Sequence, residues 1–514
     1  MRVLVTGGTG VVGDAAVRAL LAHGHRVRLL ARHAAEDARA WPAELPSGAG
    51  VEPHDGDVTD PRSLGGAARG CDVVLHLVGI VDERPPALTY ERVNVEGTRH
   101  VVDEAARAGV PHFVYVSSLG ADRGASPYHQ SKLAGEREAG RFPGAWTVLR
   151  LANVYGPGDA VVSLLLRMVR ALPVMPMLGG GGIEFQPIWA EDCGEALARA
   201  CERDDLAGAV FEVAGEERTS MRDLLDRFAR LTGRAPLRVP MPIPIAALGV
   251  KLADATGVEL GINESQLTML AEGNVIELPR ENALTTVFGV TPTPLDEGLR
   301  RLLDHLPEQL PDAGLGALHH QRYWAEVDAP RVGAPALFEK FCARFHAITP
   351  EAMDLTAEPD TPTAVLACHQ TVTMALPLRG NVQVRVAELA PLSLTLQTVE
   401  GHPLAGAVRF TSVERGAAER GGAGGVRPFR FEVEVYERAA DPFDWAAMTL
   451  LGSRLQRANW REMVATVVEE SGGAGEVREE EATLDGEAAR AVERWLKDLA
   501  VARARVEHGK ELGE

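Results

Sequence analysis

The stretch Thr6-Gly7-Gly8-Thr9-Gly10-Val11-Val12-Gly13 constrains this chain more than any other. It follows the apolar run RVLV and leads directly into a run of helical period, so strand, glycine turn and helix are in place from residue 2 onward. Read from Gly8 it satisfies G-x-G-x-x-G, and Gly7, Gly10 and Gly13 also recur at every third position. Glycine permits the tight turn and lets backbone N–H groups approach a pyrophosphate, whose charge then sits at the positive end of the helix. Taken alone, such a motif can be a glycine-rich turn that binds nothing. Its position between strand and helix favours a dinucleotide. Gly7, Gly10, Val11, Val12 and Gly13 are therefore cofactor-binding candidates.

Up to about residue 200, short apolar runs (VRLL, VVLHLV, FVYV, TVLRL) alternate with longer helical stretches, including 11–23, 90–108 and 128–141. That alternation predicts an α/β fold, a Rossmann-type doubly wound parallel sheet with covering helices. Residues 206–303 are looser, with helical pieces at 221–231 and 264–272, and suit a small substrate lid. The expected organisation is a cofactor-binding domain over 1–305 and a Pro- and Gly-rich linker over 306–320. Beyond it, NVQVRV, LSLTLQT, AVRFTSV and FRFEVEVY alternate with period two, which predicts an antiparallel sheet in an α+β domain over 321–472. A long amphipathic helix is expected over 443–470, with Leu451, Leu455, Met463 and Val467 near one face, and an acidic helix containing Trp495 within 473–514.

Composition narrows the function. A formal charge of −19 repels phosphate backbones and anionic lipid, so nucleic acid is not an expected partner. The five cysteines, Cys71, Cys193, Cys201, Cys342 and Cys368, are scattered with no C-x-x-C pair, and neither a disulfide framework nor a metal site is expected. No secretory signal or membrane-spanning run is evident, which points to a cytoplasmic protein.

The second apolar run ends in Ala31-Arg32-His33, where an NAD-preferring enzyme would usually carry a carboxylate for the ribose hydroxyls. A guanidinium suits a 2′-phosphate, so NADP(H) is preferred over NAD(H), although Arg32 can also be read as a solvated surface arginine. Asp57 in GDVTD can accept from the adenine amino group or cap a helix. Tyr128 and Lys132 in YHQSK stand four apart on one helix face. Proton transfer at a carbinol needs an acceptor beside the hydride site, and an ammonium near a phenol stabilises its anion. Ser117 and Ser118 at the end of the preceding strand offer a hydroxyl to orient the substrate oxygen.

TGGTGVVG, GDVTD, LHLVGI, VNVEGT, VSSLGAD, YHQSK and NVYGPGD, in this order over residues 1–200, resemble the short-chain dehydrogenase/reductase superfamily in its extended and atypical branches. HLVGI, YHQSK and QPIWAEDC most resemble the branch that includes the nucleotide-binding accessory subunit of respiratory complex I. The resemblance implies that Gly7, Gly10 and Gly13 hold the pyrophosphate, Arg32 the adenosine phosphate and Asp57 the adenine, with Val78 and Gly79 lining the cofactor. It implies Ser118 as catalytic serine, Tyr128 as acid or base, and Lys132 as ligand of the nicotinamide ribose. Asn94 matches a position that supports the lysine through water. Two departures stand out: only ten residues separate Ser118 from Tyr128, and Leu151 stands where proline often follows arginine.

Residues 321–472 weakly resemble helix-grip domains of the START and polyketide-cyclase type, or, through GHPLAG and RFEVEVYERAADP, a related uncharacterised domain; the helix-grip resemblance implies a curved sheet around a long helix and a hydrophobic ligand. The expected function is an NAD(P)-dependent oxidoreductase or epimerase-like enzyme acting on a small, apolar carbonyl or alcohol. The alternative is a non-catalytic NADPH-binding assembly or redox-sensing module. Oligomeric state is not readable from these residues.

Overall fold

The computed structural model describes residues 1–42, 45, 48–247, 268, 272–345, 366–376, 380–415, 426–440 and 453–512. Seven strands, β1 (Arg2–Thr6), β2 (Arg26–Ala31), β3 (Gly50–Asp55), β4 (Val73–His76), β5 (His112–Ser118), β6 (Ala145–Leu151) and β7 (Ala209–Val213), form one sheet in the order β7-β6-β5-β4-β1-β2-β3. Every pairing in it is parallel. The near-continuous apolar strands have a direct cause: alternate residues feed two different cores. Val3, Val5, Val73 and Leu75 pack with α1 (Val11–Ala22) on one face, whereas Leu4 and Val74 pack with α2 (Gly97–Ala108) on the other. The chain steps outward from β1 to β3, then returns to lay β4 on the opposite side of β1. That reversal opens a crevice beyond the carboxyl ends of β1 and β4, where open α/β sheets bind their ligands.

Three more helices frame this crevice: α3 (Pro127–Ala139), α4 (Val162–Ala171) and α5 (Ala190–Cys201). Ser126 caps α3 by accepting from the His129 amide, with Pro127 at the first helical position. The helix expected over 90–108 is interrupted: Glu91–Glu96 is π-helical, and α2 runs on from it until Gly109 ends it with φ +71°. Residues expected to form a lid supply β7, the outermost strand, and α6 (Met221–Thr232), whose Leu224, Leu225 and Phe228 pack with Leu166 and Val169 of α4. Of the helical piece expected over 264–272, only 268 and 272 belong to the described residues.

The second sheet is antiparallel throughout. It comprises β8 (Leu315–Val327), β9 (Thr371–Leu376), β10 (Gly380–Ala390), β11 (Ser393–Thr398), β12 (Leu404–Glu414), β13 (Phe429–Ala439) and β14 (Val477–Leu484), in the order β9-β10-β11-β12-β13-β8-β14. Strand β8 begins inside the stretch expected to be linker, and β14 precedes the C-terminal helix. α7 (Ala334–Ala343) and α8 (Ser453–Ser471) cover one face, with Met463 and Val467 of α8 buried against it. The expected helix residues 443–452, Leu451 among them, lie outside the described residues. Where the helix-grip resemblance implied an apolar cavity, the described side chains place a ring cluster: Phe341 lies 5.3–5.7 Å from Phe338, Phe345, Phe410 and Phe431.

The last helix, α9 (Gly486–Leu512), joins the two halves. Its Trp495 meets Tyr436 edge-on at 5.7 Å on the other face of the antiparallel sheet. Farther along, Lys497 pairs with Glu36 at 2.6 Å, Asp498 with Arg39 at 2.8 Å, and His508 Nδ1 donates to the Ala40 carbonyl at 2.7 Å.

Candidate active site

The glycine turn is shaped by contacts that no Cβ would survive. Gly7 has φ +73°, and a Cβ there would lie 2.9 Å from the Val78 amide nitrogen, so this glycine lets the end of β1 touch the segment after β4. A Cβ on Gly13 would lie 2.1 Å from the Gly7 carbonyl oxygen. Gly10 differs: its Cβ would meet only the Gly7 oxygen, at 3.8 Å, so the protein itself does not demand glycine there. Gly10 is also the N-cap of α1 and offers no side-chain acceptor, which leaves the first-turn amides at Val11, Val12 and Gly13 to an anion. An open face above Gly10 beside a bare helix N-terminus fits a pyrophosphate.

Around the turn, Val78 is half-buried and Gly79 exposed, directly after β4. Arg32 is exposed immediately after β2 and makes no hydrogen bond or ion pair among the described residues. Asp57 is partly engaged, since its Oδ1 accepts from the Thr59 amide and hydroxyl, both at 2.8 Å. The turn residues after it form no helix, so Asp57 caps a turn rather than a helix.

Ser118 closes β5, and Tyr128 and Lys132 stand one turn apart on α3. Burial pushes the Tyr128 phenol above its ordinary value, while the Ser118 hydroxyl beside it opposes that rise. Lys132 is almost fully buried; its Nζ donates to the Val116 carbonyl at 2.7 Å and lies 4.7 Å from the centre of the Tyr115 ring. Burial lowers its pKa from 10.5 to about 8. A Cβ on Gly79 would come within 3.3 Å of that nitrogen, so Gly79 is also what lets the lysine head reach the crevice floor. Asn94 is buried in the π-helical turn, donating to Ser131 Oγ at 2.9 Å and the Ile80 carbonyl at 3.1 Å and accepting from the Ile80 amide at 2.8 Å. These bonds tie the strand-end segment carrying Gly79 to α3.

Several participants carried no signal in the sequence. His129, next to Tyr128, shares a hydrogen bond of 2.6 Å with Glu272, which also accepts from the Ala125 and Ser126 amides at 2.6 and 2.9 Å. Burial works against the Glu272 carboxylate, yet these donors hold it below the usual carboxylate range. Asn274 extends the same contact by donating to the Leu119 carbonyl at 3.2 Å, so residues 272–274 rest on the end of β5. Tyr90 meets Tyr128 edge-on at 6.1 Å. Below the site, Arg150 of β6 makes a two-pronged pair with Glu136 of α3 at 2.8 and 2.7 Å, and Ser117 donates to the same carboxylate at 2.6 Å. His76, whose pKa burial drives down to about 3, is a neutral link between Thr6 and Thr98.

Residues 3–214 match the model of the NAD dependent epimerase/dehydratase family. The ceramide reductase of Caulobacter vibrioides is 30% identical over 295 residues, which are 56% of this chain and 90% of that protein. The chain belongs to this family. Sterol demethylase protein B of Methylococcus capsulatus is 32% identical over 266 residues, 47% of this chain and 78% of that one. The mitochondrial NADH dehydrogenase [ubiquinone] 1 alpha subcomplex subunit 9 of Arabidopsis thaliana is 25% identical over 292 residues, 55% of this chain and 69% of that one. The resemblance to the complex I group thus recurs among the relatives. As an epimerase/dehydratase family member, the chain is an extended short-chain dehydrogenase/reductase enzyme, an oxidoreductase or epimerase dependent on a nicotinamide cofactor. Among the described residues no helix is long and apolar enough to cross a membrane.

Proposed function

We propose that this family member is an NADP(H)-dependent oxidoreductase that interconverts a carbonyl and an alcohol on an apolar small molecule. The observation that carries the reading is the grouping of Ser118, Tyr128 and Lys132 at the carboxyl end of β5, beside the β1–β4 crevice. The cofactor supplies the hydride when bound. Tyr128, its phenol held protonated by burial, gives a proton to the carbonyl oxygen during reduction and takes it back during oxidation. Ser118 orients that oxygen, and Lys132 holds the ribose end of the cofactor. Gly7, Gly10, Val11, Val12 and Gly13 cradle the pyrophosphate, Val78 and Gly79 line the cofactor's path, Asp57 faces the adenine, and exposed Arg32 receives the 2′-phosphate. Residues 272–276 supply the inner edge of a substrate lid. The relatives named for ceramide and sterol substrates support an apolar substrate.

The test is turnover of NADPH against a panel of long-chain keto compounds and ketosteroids, with wild type and Tyr128→Phe. A reactive panel member whose turnover survives Tyr128→Phe overturns the mechanism. Fluorescence titration should show NADPH binding more tightly than NADH, with Arg32→Ala removing the difference. The plant complex I relative supports a second reading, a nucleotide-binding module in an assembly. Tightly bound NADPH that no member of the panel oxidises would favour that reading.

A further inference from the structure

At the amino-terminal edge of the parallel sheet, opposite the crevice, His23, His25 and Glu202 bring three ligand atoms within 4.8 Å of one another, the only such group found among the described residues. His23 caps the C-terminus of α1, His25 directly precedes β2, and Glu202 caps the C-terminus of α5. Glu202 Oε1 lies 2.9 Å from His23 Nδ1 and 2.8 Å from His25 Nε2. The two rings converge because Gly24 between them takes φ +78°, reversing the chain while the His25 amide donates to the Leu20 carbonyl at 2.9 Å.

A second layer orients the first. The far nitrogen of His23, Nε2, lies 3.0 Å from Glu195, and Arg199 holds that carboxylate through its other oxygen at 2.7 Å. A carboxylate on the far nitrogen fixes the tautomer that leaves the near nitrogen a lone pair, the arrangement that supports metal-bound imidazoles. On His25, the Met1 amino nitrogen lies 3.4 Å from Nδ1, so Nε2 is the nitrogen turned to Glu202.

We propose that His23, His25 and Glu202 form a binding site for a borderline divalent cation of the zinc type, with Glu195 positioning His23. Two imidazoles and a carboxylate match that class, and solvent completes the tetrahedron. Tetrahedral ligands at usual metal distances stand about 3.3 Å apart, so Glu202 must withdraw by roughly 0.5 Å. Its side chain, 35% exposed, has the room. The ion would clip the end of α1 to the end of α5, the helix packed beside it, and so pin the helix whose other end carries the phosphate-binding turn. The sequence hides this site because the histidines are only two apart and their third partner is 177 residues away.

The experiment titrates untagged full-length protein with Zn²⁺ by calorimetry, and with Co²⁺ by visible absorption, for wild type, His23→Gln/His25→Gln and Glu195→Gln. Wild type should bind one ion and show the intense visible bands of tetrahedral Co²⁺. The double variant should lose both, and Glu195→Gln should weaken affinity about ten-fold or more. Unchanged circular dichroism and NADPH binding in the variants certify that they are folded. A wild type without saturable binding, or a folded double variant that binds equally well, overturns the proposal.

Discussion

Lys132 shows how a single side chain can be legible in sequence and still act differently from its expected chemistry. The spacing in YHQSK places it on the face of Tyr128, which suggests an ammonium that lowers the phenol's pKa. In the fold its proton is directed to the Val116 carbonyl, burial brings its own pKa to about 8, and burial leaves the Tyr128 phenol raised. The sign of the consequence follows. Below about 8 the folded chain carries a buried ammonium; between about 8 and the ordinary 10.5 the unfolded chain still holds a proton that the fold has released. Stability from this group therefore grows as pH rises through that window. In the proposed function, its capacity to hold the cofactor by charge falls over the same range. NADPH affinity, followed by fluorescence from pH 6.5 to 9.5, is expected to drop as pH passes about 8 in wild type and to stay low and flat in Lys132→Met. A flat wild-type profile would mean that the ribose contact does not depend on the charge.

At the scale of elements, what the sequence reveals is periodicity, and what it hides is pairing. Strands β10 to β13 are visible in NVQVRV, LSLTLQT, AVRFTSV and FRFEVEVY because each shows one apolar face to α7 and α8. Strand β14, VREEEATL, has no such face; it is an exposed edge strand whose charges discourage further pairing, and only its register with β8 makes it a strand. The π-helical turn at Glu91–Glu96 leaves no periodic trace either, yet it sets Asn94 between Ile80 and Ser131. The Glu136–Arg150 pair was equally invisible, since its partners sit on α3 and β6 with side chains 8% and 11% exposed. This pair fixes the helix that carries Tyr128 and Lys132. Replacing Glu136 with Leu leaves the Arg150 guanidinium with Asp122, at 2.7 Å, as its remaining carboxylate and strands the Ser117 hydroxyl, and should cost about 1–3 kcal/mol by denaturant unfolding. Adding Arg150→Met should recover part of that loss, because an apolar pair of similar volume avoids a buried guanidinium that has lost its two-pronged partner, while Asp122 keeps Arg280 at 2.8 Å. A double variant no more stable than Glu136→Leu alone would place the main loss in packing rather than charge.

Over the whole molecule, the two halves read from the sequence as separate domains joined by a linker, but the fold stitches them together at a buried charge cluster. Glu308, in the expected linker, accepts from Arg385 of β10 at 2.8 Å and from Arg503 of α9 at 3.0 Å. Arg385, 2% exposed, also donates to the Leu306 carbonyl at 2.7 Å, so one strand, one connection and one helix meet at a single carboxylate. Burial alone would raise the Glu308 pKa, but the two guanidiniums outweigh it and hold the group below the usual carboxylate range. A depressed carboxylate contributes stability that is present above its unfolded pKa of about 4.5 and is lost as pH falls through the folded value. Removing the charge leaves the Arg385 guanidinium buried without a carboxylate, while Arg503 keeps Glu507 one turn along α9, and one such stranded charge costs about 3–5 kcal/mol. Because α9 also reaches Glu36, Arg39 and Ala40 on the parallel-sheet half, the loss should appear as lost coupling between the halves. Wild type is expected to melt in one calorimetric transition near neutral pH, and Glu308→Gln in two, the first at lower temperature. Deleting residues 486–514 should produce the same separation by removing the bridge itself. If Glu308→Gln still melts in one transition at an unshifted temperature, the arginines have found other partners and the halves are held together by apolar contact instead.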